Sequence, residues 1–439
     1  MKRTYTIIIV ILIFILSGAI TAGVALRGTQ NQESGMYAEM PGGESGESVD
    51  ASGAKTVTSK ETLKENYSSE TSDESAILVT DGASATVNGA TVTKTGDSTN
   101  TESSEFNGVN AAVLVQKSST ATIKNANIST DAEGANAVFA TGENAKIYIS
   151  DSKITTTGLR SSRGLDATYG GYIEADNVKI TTQGGSCATL ATDRGEGTVI
   201  AKNSTLETNG AGSPIIYSTG DISIEKTTGT ANGSQNVVIE GKNSATVTNS
   251  TLTANGAGNR NGVDNCGVMI YQSMSGDAGE GTGTFTSTDS SLSISENSSV
   301  YKTAPMFFIT NTNAVINLKN TKLSFGSGVL ISAKGTDEWG TSDSNGGNVT
   351  LNAENQTLSG NVEADSISTV TMNLTSSSFE GAINSDNSAK EVTLKLDKNS
   401  KIKLTGDSYV TSLENADTAN SNIDFNGFTL YVNGKAVNS

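Results

Sequence analysis

The chain is expected to be an all-β strand solenoid, and three observations predict it. Short apolar and polar alternations recur about every 26 residues, as in ATIKNANIS, KIYISDSKI, YIEADNVKI and TVIAKNSTL. The second apolar position of these units falls at Ile123, Ile149, Ala175 and Ala201, then at Ile224 and Val247 after steps of 23 residues. The composition is poor in proline, with 3, and in aromatics, at 5%, which suits short strands joined by tight turns and not a helical bundle.

The N-terminus has a different character. Lys2 and Arg3 precede the apolar run Ile7–Leu16, and Ser17, Gly18, Ala19, Thr21, Ala22, Gly23 and Ala25 follow it. This is the pattern of an export signal. Apolar character continues to Leu26, so residues 6–26 are also long enough to span a membrane as an uncleaved anchor. Residues 1–26 are therefore a signal peptide or a membrane anchor, and the remainder is expected outside the cell, secreted or anchored. Residues 27–75 are acidic and rich in Ser and Gly, the composition of a disordered tether. Within them SKETLKENY, Ser59 to Tyr67, reads either as two helical turns or as a cap on the first coil.

From residue 76 to 439 the repeat gives about thirteen coils, whose starts read AILVT, AAVLV, NAVFA, LDATY, CATLA, PIIYS, NVVIE, VMIYQ, MFFIT, VLISA, VEADS, EVTLK and YVTSL. Residues two apart in each strand point inward and stack on their counterparts one coil away, while the intervening Thr, Ser and Lys face water. Two residues beyond the anchor position stand Asn125, Asp151, Asn177, Asn203, Asn249, Asp289 and Asn320. Asn and Asp tolerate left-handed backbone and bond neighbouring amides, so this column reads as a ladder of turns; a row of calcium ligands is the competing reading.

Charge and residue usage exclude much chemistry. With 29 Lys plus Arg against 46 Asp plus Glu the net charge is −17, which argues against a nucleic-acid partner and favours cations. With no histidine, Ser-His-Asp and Cys-His nucleophiles and His-ligated zinc are ruled out. Cys187 and Cys266 lie in different repeats without a CxxC spacing, and read as buried free thiols.

Chemistry is sought where charge concentrates. Of the six arginines, Arg160, Arg163 and Arg194 fall close to Asp166, Asp193 and Glu196, within one or two coils. These residues form either a surface ion-pair network or the core of a site. A second set, Asp277, Glu280, Asp337, Glu338 and Trp339, lies in longer insertions, where a rigid solenoid usually carries binding. Trp339, the single tryptophan, is either a stacking platform for a sugar ring or a side chain folded over its own insertion.

The stretches SSRGLDATYGG (161–171), ATLATDRGEGTV (188–199), GSPIIYSTGDI (212–222) and YQSMSGDAGEGTGTF (271–285) resemble exported bacterial proteins of the pectate-lyase-like superfamily, in a group without assigned activity. The resemblance implies a right-handed parallel β-helix over residues 76–439 and an exported, adhesin-like surface protein. It also implies what a site would use, since enzymes of this fold cleave polysaccharides with carboxylates, in some cases holding calcium. Asp166, Asp193 and Asp221 would then be the carboxylates, and Arg163 or Arg194 the base or oxyanion partner. Tyr169, Glu196, Asp277, Glu280 and Trp339 are the candidate ligand contacts, and Asp193 with Glu196 the candidate calcium ligands. Neither a histidine element of the polygalacturonase pattern nor a lyase motif is present. The expected function is non-catalytic adhesion to carbohydrate or another surface component; the alternatives are a polysaccharide lyase or glycoside hydrolase, and a structural spacer of the cell envelope.

Overall fold

A computed structural model describes residues 50–256, 259–260 and 263–437. The signal or anchor segment, residues 1–26, and the tether as far as residue 49 lie outside the described residues. The chain from Ser52 onward is a parallel β-helix. Each full coil gives one strand to each of three sheets, and strands pair in parallel with the equivalent strands one coil away, in sheets of 12, 14 and 10 strands. Among the described residues the one α-helix is Thr101–Asn107, capped by the Asn100 side chain and by Gly108 at φ 68°.

The register is the one the repeat predicts. In the second sheet Ile149 pairs with Ile123 on one side and with Ala175 on the other. All three are buried, whereas Tyr148 between them faces outward and is 40% exposed. Val87 pairs with Ile123 across a longer step because the helix is inserted between their coils. At the turn leaving the second sheet Asn125, Asp151, Asn177, Asn203, Asn249, Asp289 and Asn320 all have φ between 47° and 54°, the left-handed region that short amide and carboxylate side chains tolerate. Their side chains also bond along the stack, with Asn177 Nδ2 donating to Asp151 Oδ1 at 2.7 Å and Asn320 Nδ2 to Asp289 Oδ1 at 2.9 Å. A turn ladder accounts for the column.

Two boundaries differ from the sequence reading. Residues 50–75 are not tether: strands Ser52–Val57, Glu61–Leu63 and Tyr67–Ser69 pair with the next coil and bury Val57 and Leu63. SKETLKENY is therefore part of a coil rather than a helix. As the first rung among the described residues, this coil has one described neighbour and buries few apolar residues, so its composition resembles a linker. The second difference is at the C-terminal end, where EVTLK is the second-sheet strand Glu391–Leu396 and does not begin a coil, because the first sheet ends with Asn361–Ala364.

Candidate charged site on the outer face of the first sheet

Outward positions of a solenoid sheet ordinarily meet water. In the first sheet the register aligns Phe139, Asp166, Ala191, Tyr217, Val238, Met269 and Phe308 in one outward column. All but Tyr217 are buried, since three insertions lie over this face. One insertion carries the helix Thr101–Asn107, the second is the loop 272–281, and the third surrounds Trp339.

Beneath the helix lies a buried triad. Arg163, in the turn before strand Leu165–Thr168, places its guanidinium 3.1 Å from Asp166 Oδ2 and 2.9 Å from Asp193 Oδ2. The three side chains are at most 8% exposed. Asp193 Oδ1 accepts from the Arg194 backbone N–H at 3.1 Å, whereas Asp166 Oδ1 has no hydrogen-bond partner. One cation thus serves two carboxylates in a dry setting. Burial raises both acids, Asp166 to about 6 and Asp193 well above the carboxylate range, against the attraction of Arg163. Burial also opposes the charge of Arg163, but Asp193 and Asp166 more than offset it and hold the guanidinium protonated. The two carboxylates titrate as a pair.

Arg194 stands above this triad. Its guanidinium lies 3.9 Å over the Phe106 ring of the helix, and Nη2 is 2.7 Å from Asp277 Oδ1 in the second insertion. The helix is further fixed by Thr168 Oγ1 donating to the Phe106 carbonyl at 2.7 Å and by Ser161 Oγ donating to Glu105. Next along the sheet, Glu240 is buried with three hydroxyls on its carboxylate: Tyr217 and Tyr271 each donate to Oε2 at 2.8 Å, and Ser273 donates to Oε1. Burial raises Glu240 although these donors pull the other way. Trp339 then packs on Tyr271 with ring centroids 4.8 Å apart.

The sequence candidates separate into those gathered here and those placed elsewhere. Asp166, Asp193, Arg163, Arg194 and Asp277 come together. Tyr169 lies beside them, with its ring against Gly195, where a Cβ would sit 2.4 Å from the ring. Glu196 turns away and pairs with Lys242 at 2.7 Å, so Asp193 and Glu196 do not converge as a calcium site. Among the described residues no group of three or more metal-ligating side chains is assembled. Asp221 is exposed on the second sheet, bonded to Ser244 Oγ at 2.6 Å, and does not join Asp193. Glu280, Asp337 and Glu338 are exposed, and Trp339 is folded half-buried over its insertion. Cys187 and Cys266 are both free and buried.

Sequence reasoning did not find Glu240, Tyr217, Tyr271, Glu105 or Phe106. A signal existed for Glu240 and Tyr271, which close the strands VVIE and VMIY, because register partners at the end of two apolar strands share one face. Comparison with protein-family models, with curated proteins and with solved structures finds no match. Chemically, the face holds buried carboxylates whose oxygens, Asp166 Oδ1 excepted, are spent on Arg163, on hydroxyls and on backbone, and it packs three insertions onto one sheet.

Proposed function

We propose that the chain is an exported cell-surface β-helix protein that acts without catalysis, binding glycan or matrix through its exposed faces. The observation that carries this reading is the burial of the very carboxylates a cleavage site would require. Asp166 and Asp193 share Arg163 under the helix, so neither offers an open oxygen to a glycosidic bond or to a sugar C–H. The export-type N-terminus and the likeness of four stretches to adhesin-like members of the pectate-lyase-like superfamily support the same reading. Exposed strands instead present Thr, Ser and Asn in repeated columns, a surface suited to an extended hydroxyl-rich partner.

The test combines a glycan array, probed with the exported chain, and an assay for newly formed unsaturated or reducing ends on acidic polysaccharides, with calcium and with chelator. Retention on glycans without new ends is the expected result. New ends lost in an Asp193→Asn variant that still folds would establish a lyase or hydrolase, and silence in both assays would favour an envelope spacer.

A further inference from the structure

The turn between the second and third sheets carries positive charge, although the chain as a whole bears −17. Lys153 and Lys179 begin the neighbouring strands Lys153–Thr156 and Lys179–Thr182 and are register partners. Their Cα atoms are thus about one strand spacing, ~4.8 Å, apart. Like charges directly opposite each other destabilise a sheet. Among the described residues neither ammonium, nor that of exposed Lys124 on the preceding coil, forms an ion pair. Folding alone gives no reason to stack them.

Both lysines line an open groove of about 430 Å³, whose lining also includes Asn125, Asn127, Asn177, Asn203 and one acid, Asp151, so its charged side chains sum to +1. None of the acids at this corner is ion-paired with Lys153 or Lys179: Asp151 Oδ1 accepts from Asn177 and Asp176 Oδ1 from Asn203, each at 2.7 Å, and Glu174 is paired with Lys202 at 2.8 Å. On the same coils, just before the turn, the second sheet presents Tyr148, 40% exposed, beside Tyr172 at 6.0 Å between ring centroids. A flat ring exposed beside a polar, cationic groove is the chemistry of sugar recognition, since the ring covers the apolar face of a pyranose while charges and amides meet its substituents.

Building on the glycan-binding reading, we infer that this corner is where the chain binds, and that its ligand is an anionic glycan. Tyr148 covers a sugar ring, Lys153 and Lys179 meet successive carboxylate, sulfate or phosphate groups, and the turn amides meet hydroxyls. The aromatic platform expected at Trp339 is on this reading at Tyr148 instead.

Binding of the exported chain is measured by titration calorimetry against hyaluronan, dextran sulfate and a poly(glycerol phosphate) polymer, with neutral dextran as control. At least one anionic polymer is expected to bind and to weaken as salt rises. The Lys153→Ala, Lys179→Ala double variant is expected to lose roughly tenfold in affinity and Tyr148→Ala roughly fivefold. All three positions are on the surface, so circular dichroism should not change. If the parent binds glycan and both variants bind as well as the parent, the inference is overturned while the proposed function stands. Equal binding to neutral dextran overturns the anionic class, and a Tyr148→Ala variant without effect overturns the ring contact. A parent that binds none of these polymers and is silent on the glycan array overturns the proposed function, and this inference with it.

Discussion

Replacing Arg163 with Met tests the buried triad directly, because it removes the one cation shared by two carboxylates while keeping much of the side chain's volume. In the parent, Asp166 and Asp193 face the guanidinium at 3.1 and 2.9 Å with almost no access to water. Breaking a buried ion pair by deleting one partner costs about 3 to 5 kcal/mol. The variant should lose about that much at pH 7. The pH dependence is the sharper readout. Asp166 is raised from 3.8 to about 6, so the folded state binds its proton more readily than the unfolded state does. Its contribution to stability is therefore greatest at low pH and is lost as the pH rises through the window from about 4 to 6. Without Arg163 both carboxylates are pushed higher, the window moves up, and each proton taken up is worth about 1.4 kcal/mol per pH unit below the folded-state value. Denaturant titrations at pH 7 and pH 5 should show the Arg163→Met deficit shrinking by about 1 kcal/mol on acidification, because the parent's Asp166 itself gains between pH 6 and 5 and only the difference is read. An Asp166→Asn variant, which abolishes one of the charges, should be close to neutral at pH 7. A deficit of equal size at both pH values would refute the account of two buried carboxylates sharing one cation.

Two further outcomes follow from the register and the core. Ile149→Asp places an unpaired carboxylate between Ile123 and Ala175 and should cost about 4 kcal/mol or more, whereas Tyr148→Asp on the outward face should cost under about 1 kcal/mol; equal losses in thermal or denaturant unfolding would contradict the inward and outward assignment. Burial pushes the Cys187 thiol up to about 11 and raises Cys266 further, so both should resist an aromatic disulfide reagent in the native state and react with two equivalents in denaturant; rapid native labelling, or an intact mass showing a disulfide, would overturn this.

The solenoid was legible in the sequence because stacking repeats the same demand at every coil. Inward positions such as Ile123, Ile149 and Ala175 must all be small or apolar, and the turn residues after them must all tolerate positive φ, so both columns surface as period. Where the demand lapses, the signal lapses too. The coil at residues 52–69 has one neighbour in the described stack and packs only Val57, Leu63 and Tyr67 into or against the core, too few to show a period. The strand Glu391–Leu396 has a coil-start pattern yet belongs to the second sheet, because alternation reports a buried face and not which sheet supplies it.

For the charged face the limits have a different physical origin. That Arg163, Asp166 and Asp193 meet was readable, since strand Leu165–Thr168 pairs with Leu190–Thr192 and brings the segments one coil apart. That they meet in the dark was not. The cover is built from contacts with no period at all: Ser161 reaches Glu105 across 56 positions, and Arg194 reaches Asp277 across 83. Insertions are exempt from the repeat, so nothing in the repeat announces where they fold back. Their placement also explains why charge is tolerated there. An apolar roof laid on an apolar sheet gains area in several registers, whereas Arg194 between Phe106 and Asp277, and Glu240 among Tyr217, Tyr271 and Ser273, are satisfied in one. These charged contacts therefore favour one placement of the helix insertion and of loop 272–281 over the sheet. The exposed Lys153 and Lys179, stacked where no loop covers them and, among the described residues, without an ion pair, are charges of the opposite kind, which folding does not use and a ligand can.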